Sequence, residues 1–160
     1  MGRTEEGKVV KLVFLEVHGV LMMPICENVA RLLQEPVKAF KPSVDALNVI
    51  TKTTGAKIVI TSAWRNSGIW VLENKFKEWG VEGKIIDGTP IGLGKSDEIN
   101  KYLVWATTPE SYVVIDCEHI ADTNYADLSK HLVVTDPKEG GLTDSLAQRA
   151  VEILNKNGGE

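Results

Sequence analysis

Five short runs of apolar and β-branched residues, separated by stretches of helical spacing, constrain this chain more than any other feature. Val9-Val10-Lys11-Leu12-Val13-Phe14-Leu15 is apolar at nearly every position, which suits a strand buried on both faces of a parallel sheet. The pattern recurs at 57–61, 112–116 and 131–135, and more weakly at 84–86. Between these runs, Val44, Leu47 and Ile50 fall at helical spacing. So do Ile69, Leu72, Phe76 and Trp79; Ile99, Tyr102, Leu103 and Ala106; and Leu146, Ala147, Ala150, Val151 and Leu154. Ser43, Ser67, Ser96 and Thr143 stand near the starts of these segments as expected N-caps, and Gly55 and Gly80 as expected C-caps. Trp70, Trp79 and Trp105 lie within the helical patterns and are expected in the core. Alternating strands and helices imply right-handed crossovers and a doubly wound, mainly parallel five-stranded α/β sheet. In such sheets ligands bind at the carboxyl ends of the strands.

A chain of 160 residues, 43% hydrophobic and 25% charged, suits one domain that folds without staples. The net charge of −4 argues against a surface dominated by phosphate-neutralising residues. Cys26 and Cys117 form no zinc-binding or Cys-x-x-Cys pattern, so a reducing, cytoplasmic setting is expected. The polar, acidic N-terminus does not read as a signal peptide, and no apolar stretch is long enough to span a bilayer. Residues 1–7 and 157–160 read as loose ends of a domain covering 8–156. Residues 22–42, with Pro24, Pro36 and Pro42, read as an insertion forming a small flap.

Residues able to carry chemistry collect at the strand ends. They are Glu16 and His18 after the first run; Thr61, Ser62 and Arg65 after the second; Asp116, Glu118 and His119 after the fourth; and Asp136 after the fifth, with Lys95 opening a helix. Carboxylates with a hydroxyl and a lysine at one sheet edge suit a cation and a phosphate together. Each has a plainer reading. Thr61 and Ser62 cap a turn, Arg65 either binds phosphate bidentately or stacks on Trp64, Asp136 before Pro137 forms a turn, and His119 and His131 sit at the surface or at strand ends.

Leu12-Val13-Phe14-Leu15-Glu16-Val17-His18-Gly19-Val20-Leu21 resembles the first motif of the haloacid dehalogenase (HAD) superfamily, a hydrophobic strand followed by Asp-x-Asp-Gly-(Thr/Val), with both aspartates replaced. Phe40-Lys41-Pro42-Ser43-Val44, Thr54 through Arg65, Thr135-Asp136-Pro137 and Gly141-Leu142-Thr143 are similar to the small HAD-like domains associated with Swiss Army Knife RNA repair proteins. The resemblance covers roughly residues 9–155 and implies a HAD-like Rossmannoid fold with no large cap and an open site. It places Glu16 where the family has its phosphate-attacking Asp and His18 where it has its acid-base Asp. Thr61, or Ser62, takes the place of the phosphate-holding hydroxyl, Lys95 that of the third-motif cation, and Asp116 that of a Mg²⁺-holding acid. Cys117 stands where a further acid is usual, with Glu118 or Asp122 as substitutes.

The departures bear on activity. Glu16 adds a methylene and moves its carboxylate by about an ångström, a displacement that can cost on the order of a hundredfold in rate. His18 removes a carboxylate, and imidazole suits Mg²⁺ poorly. The implied function is a HAD-like domain with a degenerate site, weakly active or inactive, that binds a phosphate-containing ligand or is structural. The alternative is an active metal-dependent phosphohydrolase acting on a nucleotide or nucleic-acid end. Mg²⁺ is the cofactor expected if activity is retained, and none if the site is degenerate. Zn²⁺ or Mn²⁺ is the choice if Glu16, His18 and Asp116, with Glu118 or His119, make a new site.

Overall fold

The computed structural model describes residues 10–106 and 108–156. Val9 and both end segments read as loose lie outside the described residues. Strands Lys11–Leu15 (β1), Lys57–Ile60 (β2), Ile85–Gly88 (β3), Ser111–Asp116 (β4) and Leu132–Val134 (β5) form one open sheet in the order β3-β2-β1-β4-β5. Every pairing between them is parallel. Successive strand residues face opposite sides. Central β1 accordingly gives Val13 and Leu15 to one core and Leu12 and Phe14 to the other. A strand covered on both faces has no wet side, which is why its sequence lacks polar alternation.

Helices Pro24–Leu33 (α1), Lys41–Thr54 (α2), Ile69–Trp79 (α3), Lys95–Trp105 (α4) and Asp144–Asn155 (α5) complete the architecture. One core takes Leu47 and Ile50 of α2, Leu72 and Phe76 of α3, and Ala147 and Ala150 of α5. The other takes Ile99 and Tyr102 of α4, with Ile120 and Leu128 from the segment after β4. The strand order reverses between β1 and β4, the switch point at which such sheets open a crevice. Glu16 follows β1 and Asp116 ends β4, so both stand there.

Several sequence expectations are corrected. The stretch read only as a flap contains the ten-residue α1. Its prolines bracket the helix instead of breaking it, because Pro24 occupies the first turn, where a missing N–H is harmless. Of the four expected N-caps only Thr143 acts as one, accepting from the Leu146 N–H. Phe40, Gly68 and Gly94 take the other cap positions, while buried Ser43 donates to the Gly140 carbonyl and ties α2 to the segment before α5. Gly55 and Gly80 do end α2 and α3 in left-handed conformations, with φ of 74° and 87°. Trp70 and Trp105 are exposed, because Leu72 and Phe76 form the buried stripe of α3, and Ile99 and Tyr102 that of α4. Trp79 is partly buried against Trp64 and Phe76. No helix among the described residues is long and apolar enough to cross a membrane.

Candidate functional site

Lys95 joins the two carboxylates at the switch point. As the first residue of α4 it reaches back to the strand ends, its Nζ lying 2.5 Å from Glu16 Oε2 and 2.7 Å from Asp116 Oδ2. The Val17 N–H donates to Glu16 Oε1 and the Glu118 N–H to Asp116 Oδ1, so all four carboxylate oxygens have donors. Burial pushes the Glu16 carboxyl up, but Lys95, the Val17 N–H and the Ser62 hydroxyl outweigh it and hold the group below its ordinary value. Asp116, only 1% exposed, goes the other way: burial dominates the pull of Lys95 and raises its carboxyl. Burial also opposes the charge on Lys95, yet its bonds to Asp116 and Glu16 raise the ammonium above its ordinary value. The three groups sum to one negative charge.

Beside this triad lies a cavity of about 340 Å³. Glu16, Thr61, Lys95 and Glu98 line it, with Ala63, Asn66, Ile91 and Leu93 among its other walls. Thr61 follows β2, is 2% exposed, and its Oγ1 finds no hydrogen-bond partner among the described residues. A buried hydroxyl left unpaired costs roughly 1–3 kcal/mol. Ser62 is differently engaged, its Oγ capping the 3-10 turn Ala63–Ser67 by accepting from the Trp64 N–H.

Arg65, expected either to bind phosphate or to stack on Trp64, lines the same cavity and braces the backbone around it. Nε donates to the Thr89 carbonyl, Nη1 to the Thr61 and Ser62 carbonyls, and Nη2 to the Pro90 carbonyl, with Glu98 Oε1 3.1 Å from Nη2. A guanidinium has five N–H donors, and four of them are bonded to backbone carbonyls while Nη2 also pairs with Glu98. The Arg65 and Glu98 side chains are 7% and 8% exposed, so this ion pair is buried. Its partner was not legible in the sequence, since an acidic residue in the first turn of a helix reads equally well as a dipole complement.

His18 is turned from the triad. The Trp64 indole N–H donates to His18 Nε2 at 2.9 Å. Because an indole can only donate, the proton of the neutral ring sits on Nδ1, which lies 4.0 Å from Glu27 Oε1 of α1. That proton therefore faces α1. Glu118 is exposed and meets Asp116 only through its backbone N–H. Asp122 accepts from the Ser129 N–H and hydroxyl instead of substituting for an acid at the site. His119 is exposed, and His131 stacks on Tyr112. Asp136 caps a turn by accepting from the Lys138 N–H. Burial, with Asp116, Glu118 and Glu16 nearby, pushes the Cys117 thiol up, and its Sγ faces the His18 carbonyl.

Among the described residues no three His, Cys, Asp or Glu side chains gather as a metal-holding group, and the His18 ring engages Trp64. Glu16 and Asp116 do fit Mg²⁺ chemically, since that ion is commonly held by one or two carboxylates, waters and substrate phosphate.

An open parallel sheet carrying carboxylates, a lysine and a buried hydroxyl at its switch point defines an α/β domain of the HAD-like Rossmannoid class. Residues 12–147 match the family described as the HAD domain in Swiss Army Knife RNA repair proteins, and the chain belongs to that family. Comparison with curated proteins and with solved structures finds no significant match.

Proposed function

We propose that this chain is a phosphate-binding HAD domain whose covalent phosphoryl chemistry is disabled at Glu16 and His18. The buried Thr61 hydroxyl, without a partner among the described residues, carries the reading, because Thr61 and Lys95 line the same cavity. Thr61 and Lys95 donate to the phosphate oxygens. Glu16 and Asp116 leave the triad one charge negative, which opposes a bare phosphate dianion, so binding requires a divalent cation held by these two carboxylates. Mg²⁺, when bound, supplies the charge that makes the pocket attractive to phosphate. Glu16 retains a negative carboxylate, but its added methylene and its bonds to Lys95 and Val17 place it differently from an attacking aspartate. His18 holds its proton toward Glu27. The family's RNA-repair description is consistent with a phosphate at a nucleic-acid end.

The test is calorimetric titration of phosphate with and without Mg²⁺, using the native chain and Thr61→Val. The native chain should bind phosphate only with Mg²⁺. The variant should lose that binding yet unfold no more easily, with up to about 1 kcal/mol of added stability, because a methyl replaces an unsatisfied hydroxyl. Equal phosphate binding by both would refute Thr61's role. In parallel, phosphate release from an aryl phosphate should be absent or very slow in the native chain and emerge in Glu16→Asp/His18→Asp. Ready turnover by the native chain would replace this reading with that of an active phosphohydrolase.

A further inference from the structure

We infer that α1 is a dimerisation helix, pairing antiparallel with the α1 of a second copy of this chain about a two-fold axis at Val29; the inference stands apart from the phosphate-binding reading. α1 meets the body of its own chain through Ala30, its one buried residue, and through Cys26, which packs on the core. Ile25, Val29, Leu32 and Leu33 are 59%, 45%, 82% and 61% exposed. On a helix these four positions fall within a sector of about 100°. Single exposed apolar side chains are ordinary, whereas a contiguous stripe of them marks a contact surface. The step from Ile25 to Val29 to Leu32 is the spacing of the seam along which one helix packs on another.

The rest of this face identifies the occupant. Two cavities of about 250 and 720 Å³ open beside α1, and Ile25 and Phe40 line both. The larger lies at the first turn of the helix, where Met23 and Pro24 add apolar walls. Leu32 and Leu33 line neither cavity and project at the other end of the helix, roughly 11 Å further along the axis. One helix thus carries a hollow at its start and knobs at its finish. An isologous contact requires a patch that is its own complement. Antiparallel pairing centred on Val29 meets that requirement: Val29 faces Val29, Ile25 faces the second copy's Leu33, and each copy brings its leucines to the other's hollow.

Charge selects the same arrangement. The stripe bears no ionisable side chain, so burying it desolvates no charge. About Val29, Glu27 stands level with the second copy's Arg31, and opposite charges share a level. A parallel pair would set Glu27 level with Glu27 and Arg31 level with Arg31.

The test is sedimentation equilibrium of the full chain in reductant, from about 1 to 100 μM, the range in which a modest interface forms and dissociates. The native chain should rise toward twice the mass of one chain. Leu32→Glu/Leu33→Glu should stay at the mass of one chain with a native circular-dichroism spectrum, which shows that it is folded. Facing positions on helices packed 8–10 Å apart bring their Cα atoms to roughly 4–5 Å, within disulfide reach. Under mild oxidation Val29→Cys should therefore form a covalent dimer several-fold faster than the native chain or Arg31→Cys, whose position lies on the far side of the helix from Val29. A single-chain mass throughout the range overturns the proposal and leaves the stripe to a different partner. A dimer that survives Leu32→Glu/Leu33→Glu, or in which Val29→Cys crosslinks no faster than Arg31→Cys, is built on another face, and the α1 pairing is wrong.

Discussion

Replacing Lys95 with methionine removes the ammonium that separates two buried carboxylates while nearly preserving side-chain volume. Glu16 Oε2 and Asp116 Oδ2 each touch Nζ, at 2.5 and 2.7 Å. At a separation of roughly 5 Å and an effective dielectric constant of about 20, two such charges repel by about 3 kcal/mol. That agrees with the roughly 3–5 kcal/mol lost when one partner of a buried pair is deleted. The loss should depend on pH. Without Lys95 the folded pKa values of both carboxyls rise above their unfolded values, and such groups destabilise increasingly as pH rises. The penalty begins near the ordinary carboxylate values of 3.8 and 4.5 and is complete once pH exceeds the raised folded values. Urea unfolding of Lys95→Met and the native chain at pH 5 and pH 8 should show a deficit of about 3 kcal/mol at pH 8 and a clearly smaller one at pH 5. An equal deficit at both pH values, or one below about 1 kcal/mol at pH 8, would refute the claim that the triad is held by charge.

Glu98→Gln leaves the Arg65 guanidinium buried without its counter-charge, and should cost about 3 kcal/mol; thermal unfolding should shift down by roughly 10 °C for a chain of this size. Gly19→Ala should lower the urea midpoint by an amount equivalent to about 2–3 kcal/mol, because residue 19 has φ of 78° and a Cβ there would lie 2.5 Å from Cys117 Sγ. Glu16→Gln should flatten the acid limb of the stability profile. A carboxyl whose folded pKa is lowered stabilises the fold above its unfolded value of 4.5 and loses that contribution as pH falls through its folded value. A titration of stability from pH 6 to pH 3 checks this.

What the sequence alone determined about this protein is the sheet class and the edge at which chemistry gathers. Strands covered by helices on both faces must be apolar at successive positions, and this is visible in Val13-Phe14-Leu15, Ile58-Val59-Ile60 and Val113-Val114-Ile115. Glu16, Thr61 and Asp116 follow or end such strands, and parallel strands bring those ends to one edge. Only the tertiary structure decided what each side chain does there. Lys95 meets Glu16 across 79 residues, and Arg65 reaches carbonyls 24 and 25 residues away. The His18 ring goes to Trp64, 46 residues along the chain, while the Thr61 hydroxyl receives no partner among the described residues. Periodicity is a local property that survives in one dimension. The choice of hydrogen-bond partner depends on which distant segments the fold brings within 3 Å, and neither residue type nor spacing encodes it.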